Sequence, residues 1–472
     1  MLPGCAFDVA LQVTCQQTAK QNQPVLVDQL PLSPPMPRAE TPLSDPMAND
    51  SVSAGPRIVH AHSVTNAETT MAAVYVEDCH MVLPNAKLAT DPRSVFTPID
   101  PNKAEILVRT LNLHNKWKHV ITGLREGFDV GIRQTPNRTI IFDNHYSSQL
   151  NPEFISSYVA SEHAVGRYSE PFQPSDLENI IGPFRTSPIR LVPKPNSSKF
   201  CMIQDLSYPW NNPSIDSINA GINSDEFPTS WGTFDTTSEL ILSLPNGCKA
   251  AIFDISAAYR ITPVRPDQQN ALCIFWEGMV RVDRAVMFGL ASSAGVFGCV
   301  TDMLVDIYTT SGFGPLVKWV DDFFVIRLPH DSWTEKEFMD LTASIGVPWS
   351  IEKLHPLSSI QRYIGFDWHL DSKAVSIPTE KIKRIQDLLQ GWLIPNIRVS
   401  SHDAASLHGK LVHLAGIFTL IRPFLQSLAI FSGKFHSARA RLYPSHAIVS
   451  NIRWITDLLT ILPNHTNLKP SV

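Results

Sequence analysis

Three carboxylates are the residues of this 472-residue chain best placed to do chemistry. Asp321 and Asp322 stand side by side in the stretch KWVDDFFVI, residues 318–326, between two apolar runs rich in β-branched and aromatic residues. Such runs favour strands and Asp favours turns, so the pattern predicts a β-hairpin with both acids at its tip. Asp254 ends another apolar run, residues 250–253, long enough for one buried strand. Two carboxylates about 4 Å apart repel by roughly 4 kcal/mol at an effective dielectric of 20. A fold that keeps both ionised supplies a cation, and oxygen-only ligands suit a hard ion such as Mg²⁺ or Mn²⁺. Taken alone, an Asp-Asp pair is also an ordinary solvated turn, and a single Asp an ordinary strand stop.

Other polar residues fall at element ends. Residues 187–205, SPIRLVPKPNSSKFCMIQD, read as a hairpin with Lys194 and Lys199 near its tip. These lysines either reach a triphosphate or protect an edge strand. Tyr259 follows Asp254 by five residues, ahead of a turn at Thr262-Pro263. Residues 286–308 open on a turn at Phe288-Gly289. The small residues Ala291, Ser292, Ser293, Ala294 and Gly295 then lead into an apolar helix. Small residues there admit a backbone or a flat base at close range. Lys353 lies in a loop before a strand-turn-strand pattern around Tyr363-Ile364-Gly365-Phe366. Helical spacing of apolar residues marks 104–128 and 152–166, and again 373–462.

Composition divides the chain. The first hundred residues hold ten of the 44 Asp/Glu and five of the 39 Lys/Arg, which leaves 34 of each for the rest. They also hold 12 of the 37 prolines and show no sustained period, so residues 1–100 are expected to be acidic, Pro-rich and largely disordered. Residues 373–462 carry eleven Lys/Arg against four Asp/Glu, the electrostatic footprint expected for a phosphate backbone. Seven scattered cysteines without a C-x-x-C pair fit a reducing compartment with neither a disulfide framework nor a zinc site. The expected location is intracellular, in cytoplasm or nucleus. The most apolar long stretch, residues 411–432, is interrupted by Arg422-Pro423 and Gln426, so a buried helix pair is expected there rather than a membrane span. Nothing in the sequence sets an oligomeric state.

In order, the lysine hairpin, FDISAAY, FGLASSAGVF, WVDDF, the Lys353 loop and YIGF resemble the reverse transcriptases, chiefly over residues 187–370. The wording around residues 187–209 is most similar to polymerases of DIRS-type retrotransposons or related long-terminal-repeat elements. The resemblance implies an α+β right-hand polymerase: a helical extension at 101–186, fingers and palm at 187–370, a helical basic thumb and connection at 371–463 and a tail at 464–472. It implies that Asp254 and Asp321 hold two Mg²⁺ ions about 4 Å apart, with Asp322 more peripheral. It further implies that Tyr259 faces the sugar of an incoming dNTP, that Phe288 and Gly289 line the pocket, that Lys194 and Lys199 meet the triphosphate, and that Lys353 protonates the pyrophosphate. RNA or DNA template-primer would be the macromolecular partner.

The chain also departs from that pattern. Cys201 occupies the position of an arginine that contacts the triphosphate, Trp319 replaces a Tyr or Phe, and Met287 stands where a proline is common. Neither an aspartic protease motif nor the acids of a ribonuclease H are present. Two functions are therefore compatible with the sequence: an active polymerase, and a weak or inactive relative retained as a nucleic-acid-binding protein.

Overall fold

Residues 250–253 and 323–326 are apolar at every position, not at alternate ones, and that pattern belongs to strands buried on both faces. The computed structural model describes residues 90–193, 200–210, 212, 214–437 and 439–469 and shows this arrangement. Its helices, in chain order, are α1 (Pro101–Thr110), α2 (His114–Glu126), α3 (Pro152–Ala164), α4 (Pro174–Ile181), α5 (Phe234–Ser243), α6 (Ser293–Thr310), α7 (Glu335–Ala343), α8 (Thr379–Trp392), α9 (Ser401–Leu414), α10 (Arg422–Ser432) and α11 (His446–Ile461).

The strands are β1 (Ile189–Pro193), β2 (Phe200–Gln204), β3 (Lys249–Asp254), β4 (Cys273–Trp276), β5 (Met279–Val282), β6 (Leu316–Trp319), β7 (Asp322–Arg327), β8 (His355–Ser358), β9 (Ile360–Tyr363), β10 (Phe366–His369), β11 (Ala374–Ser376) and β12 (His465–Asn467). An antiparallel sheet of order β6-β7-β3-β8 carries the carboxylates. A second sheet runs β12-β11-β10-β9, and β1-β2 and β4-β5 form separate hairpins. The β4-β5 turn uses Glu277 and Gly278, both at positive φ (51° and 76°), as a tight two-residue hairpin requires.

Two cores meet at the first sheet. Ala251, Phe253, Phe323 and Val325 join α1, α2 and α6 in one core. Ala250, Ile252, Phe324 and Ile326 face the other, shared with β9, β10 and α8–α11. The small residues at the start of α6 admit a neighbouring backbone: a Cβ on Gly295 would lie 1.9 Å from the Phe227 carbonyl oxygen, and one on Gly298 would lie 2.3 Å from Thr229 Oγ1.

Several expectations shift. The packed body begins before residue 100, because Thr97 Oγ1 donates to the Ile261 carbonyl (2.7 Å) and the Asp100 amide to that of Ile345 (2.8 Å). The remainder of the acidic segment lies outside the described residues. The helical stretch 104–128 is two helices, broken where Asn112 takes φ 58°. The region beginning at 373 is not wholly helical, and part of the expected tail forms β12, pairing Ala374 with Asn467 and Ser376 with His465. Cys201 is disulfide-bonded, against the expectation of no disulfide framework, whereas Cys248, Cys273 and Cys299 are free thiols. Among the described residues, no helix is long and apolar enough to cross a membrane.

Candidate active site

The antiparallel register of β3 and β7 sets Asp254 directly opposite Asp322. Asp321 precedes β7 in the turn that joins it to β6, and its carbonyl accepts from the Ile255 amide (3.0 Å). That turn is made by Val320, a β-branched residue at φ 55° whose side chain is buried in the first core. Such a conformation costs energy and persists because packing over-determines it. Burial of Val320 thus fixes the place of Asp321. On the other flank of β3, the Ser350 amide donates to the Asp254 carbonyl (2.8 Å), which anchors the loop carrying Lys353.

Lys353 Nζ donates to Asp254 Oδ2 at 2.6 Å. Asp254 Oδ1 is buried without a hydrogen-bond donor. Both Asp254 and Asp321 are buried, at 3% and 8% exposure. Burial pushes the Asp254 carboxyl above its usual range despite Lys353. Burial, with the charges of Asp322 and Asp254, pushes Asp321 well above it. Burial and the Asp254 charge raise Asp322 to about 7. Three acids share one ammonium here, and the excess of negative charge is the dominant electrostatic fact of the site. Among the described residues, no group of three or more His, Cys, Asp or Glu is arranged so that it could hold a metal ion. The donors nonetheless fit a hard divalent ion in their chemistry, since they are carboxylate oxygens and one of them is buried and unpaired.

Tyr259 is buried beside this cluster, its ring 4.8 Å from that of Phe288 and 5.4 Å from that of Phe297. Burial and the Asp321 charge raise its phenol. Gly289, at φ 97°, lets the chain turn tightly against β2: a Cβ there would meet the Gln204 carbonyl at 3.2 Å. The turn at Ile364 (φ 45°) and Gly365 (φ 81°) joins β9 to β10 and is held from behind, because Lys381 Nζ donates to the Gly365 carbonyl (3.2 Å). The hairpin β1-β2 forms with Val192 opposite Cys201, but Lys194 and Lys199 lie outside the described residues. Asp254, Asp321, Asp322, Lys353, Tyr259 and Phe288 therefore belong to one neighbourhood.

Sequence reasoning missed two residues. Asn219 Nδ2 donates to the Gly289 carbonyl (2.7 Å) and to Ser207 Oγ (2.9 Å), while its Oδ1 accepts from the Ala291 amide (2.9 Å). It ties the turn at Gly289 to the segment after β2, and nothing in its polar loop marks it. Arg260 is buried next to Tyr259, and here a signal existed: an arginine flanked by Tyr and Ile in an apolar stretch demands acidic partners.

The sequence matches no family model and no curated protein. The structure of the foamy viral protease-reverse transcriptase in complex with RNA/DNA hybrid matches with a TM-score of 0.50 at 15% identity, over 79% of this chain and 45% of that one. The structure of the foamy viral protease-reverse transcriptase dRH in complex with ds DNA gives 0.49 at 16% identity, over 78% and 61%. This chain thus spans less than half the length of the first. At such identity the likeness is one of fold, and the chain has a reverse-transcriptase-like fold.

Proposed function

We propose that this chain extends a primer with dNTPs on an RNA or DNA template, as the polymerase piece of a retrotransposon, with 187–370 as fingers and palm and 371–463 as thumb. One observation carries the reading: Asp254 lies opposite Asp322, next to Asp321, at one end of a sheet in a reverse-transcriptase-like fold. Asp254 and Asp321 would hold two Mg²⁺ ions, or Mn²⁺, with Asp322 at the periphery. When bound, such ions activate the primer hydroxyl and neutralise the leaving pyrophosphate. Tyr259 and Phe288 would form the wall against the sugar and base, and a ribose 2′-hydroxyl would clash with the tyrosine ring. Lys353 would release Asp254 and hold a proton for the pyrophosphate. Tyr363–Phe366 would grip the primer end.

Cys201 leaves the hairpin without the family's arginine. Paired residues of a hairpin project from the same face and faces alternate along a strand, so Arg190, opposite Ile203 and exposed, shares its face with Cys201 two pairs along. Among the described residues of the hairpin, Arg190 is a cation on that face that could meet the triphosphate.

The Lys353–Asp254 contact and the want, among the described residues, of three or more His, Cys, Asp or Glu arranged to hold a metal ion favour a second reading, a nucleic-acid-binding relative with weak or no catalysis. Primer extension by the purified chain on an RNA template with dNTPs and Mg²⁺ tests the choice. Template-dependent products support the polymerase; binding of template-primer without products supports the second reading.

A further inference from the structure

The outstanding feature outside the carboxylate site is a buried four-charge network one residue from Tyr259. Arg260 Nε and Nη2 donate to Glu162 Oε2 at 3.0 and 2.7 Å. Its Nη1 donates to both oxygens of Asp283 at 2.9 Å and to the Ala285 carbonyl at 3.0 Å. Arg167 closes the set with two bonds of 2.7 Å to Glu162. Arg260, Glu162 and Asp283 are exposed by 5%, 4% and 1%. The network is electrically neutral and joins three segments: Glu162 on α3, Arg260 in the turn after β3, and residues 283–285, which lead into Met287-Phe288-Gly289.

The backbone there needs holding. Ala257 and Ala258 take φ 66° and 40°, a left-handed pair that alanine adopts only under constraint. This strained turn delivers Tyr259 to the Phe288 ring. Two further bonds run in parallel with Arg260: the Thr262 amide donates to the Tyr259 carbonyl (3.0 Å) and the Val286 amide to the Thr262 carbonyl (2.8 Å). A planar guanidinium with its donors fixed in a fork is suited to lock both sides of such a wall, whereas an ammonium is a point charge without a preferred plane.

We propose that Arg260 is a positioning residue which, through Glu162 and Asp283, sets the Tyr259–Phe288 wall and thereby the choice between deoxyribose and ribose in the incoming nucleotide. The inference rests on the proposed polymerase reading of this site. It makes α3, which contributes no group to the carboxylate cluster, part of the substrate-selecting apparatus through Glu162.

The test compares wild type, Arg260→Lys, Glu162→Gln and Tyr259→Ala in primer extension, with kcat/KM for dCTP and for CTP measured separately. Thermal melts and template-primer binding serve as controls. Glu162→Gln leaves the Arg260–Asp283 contact in place and so covers the case in which Arg260→Lys does not fold. The expected result is a tenfold or greater fall in the dCTP/CTP ratio for Arg260→Lys and Glu162→Gln, seen chiefly as a lower KM for CTP, with template-primer binding unchanged. Suppose Tyr259→Ala relaxes the ratio while the folded network variants keep it within twofold of wild type. The network is then structural only, and the inference falls alone. If wild type extends no primer, or Tyr259→Ala leaves the ratio unchanged, the reading of the site falls and takes the inference with it.

Discussion

Five residues separate Asp254 from Arg260, yet the two buried charge clusters they anchor are opposites. Around Arg260, two cations meet two anions, and Glu162 and Asp283 receive donors in bidentate or shared geometry. Burial works against the Arg260 charge, but Asp283 and Glu162 outweigh it and keep the guanidinium firmly protonated. Burial raises Asp283 to about 6 even so, while at Glu162 burial is overcome by the Arg260 and Arg167 charges, which hold it below its usual range. Around Asp254, three acids meet one lysine, one carboxylate oxygen is left without a donor, and all three carboxyls are pushed upward. A cluster whose charges are matched holds a shape, and one left with surplus charge waits for something to bind. The difference supports the carboxylate cluster as the proposed ligand site without reference to any relative.

The contrast breaks first at catalysis. Asp321→Asn is expected to reduce primer extension by at least about a thousandfold, roughly 4 kcal/mol of transition-state stabilisation. Binding of template-primer should persist, because the proposed reading assigns it to the basic helical region. Joint loss of folding and binding in that variant would make the acid structural. Next comes the matched cluster. Arg260→Met leaves Glu162 and Asp283 short of a buried partner and should cost about 3–5 kcal/mol in denaturant unfolding. A change below about 1 kcal/mol would show that water reaches the cluster.

A third site resolves crowding by losing a proton. His413 stacks on Phe366 (4.1 Å) with Nε2 3.2 Å from Lys381 Nζ and 3.1 Å from the Ile364 carbonyl. Burial and the Lys381 charge depress its imidazole to about 4. A depressed folded value means the contribution to stability is full above the unfolded value near 6.5 and drains away as pH falls toward about 4. Between pH 7.5 and pH 5 the loss should be about 2 kcal/mol, and His413→Phe should flatten that slope in melts across pH. The last effect sharpens the comparison by its sign. Asp322 is raised to about 7, so its contribution is present below the unfolded value near 3.8 and lost as pH rises through 7. In chelator at pH 8, Asp322→Asn should therefore melt a few degrees above wild type, the gap closing toward pH 4 and on addition of Mg²⁺. A variant that melts lower at pH 8 would mean the cluster is already satisfied.

What the sequence disclosed follows from range. The hairpin at 318–326 and the Tyr363–Phe366 turn were legible because local propensity and turn chemistry agree there, although only Asp321 sits in the turn and Asp322 opens β7, paired with Trp319. Asp254 was legible as a strand end. Its pairing with Asp322 across 68 residues follows only from sheet register, for which the residues hold no short-range sign. The same applies to Lys353, whose loop is brought to Asp254 by the Ser350 amide. The break at Asn112 escaped because apolar spacing runs through it on both sides, and β12 escaped because its polar residues, His465–Asn467, form an edge with no buried pattern to betray it.

One feature of β3 bears on how the molecule comes apart. Its odd and even residues belong to different cores, so the strand is a party wall: neither chamber can open while the other keeps it in place. Slipping the strand by one residue would present Ala250 and Ile252 to the chamber shaped for Ala251 and Phe253 and would turn the Asp254 carboxylate to the opposite side. The two halves should therefore melt in a single transition, and hydrogen exchange at β3 amides should require global unfolding even where flanking helices open early. The residue that the proposed chemistry most needs fixed sits at the end of the segment with least freedom to move.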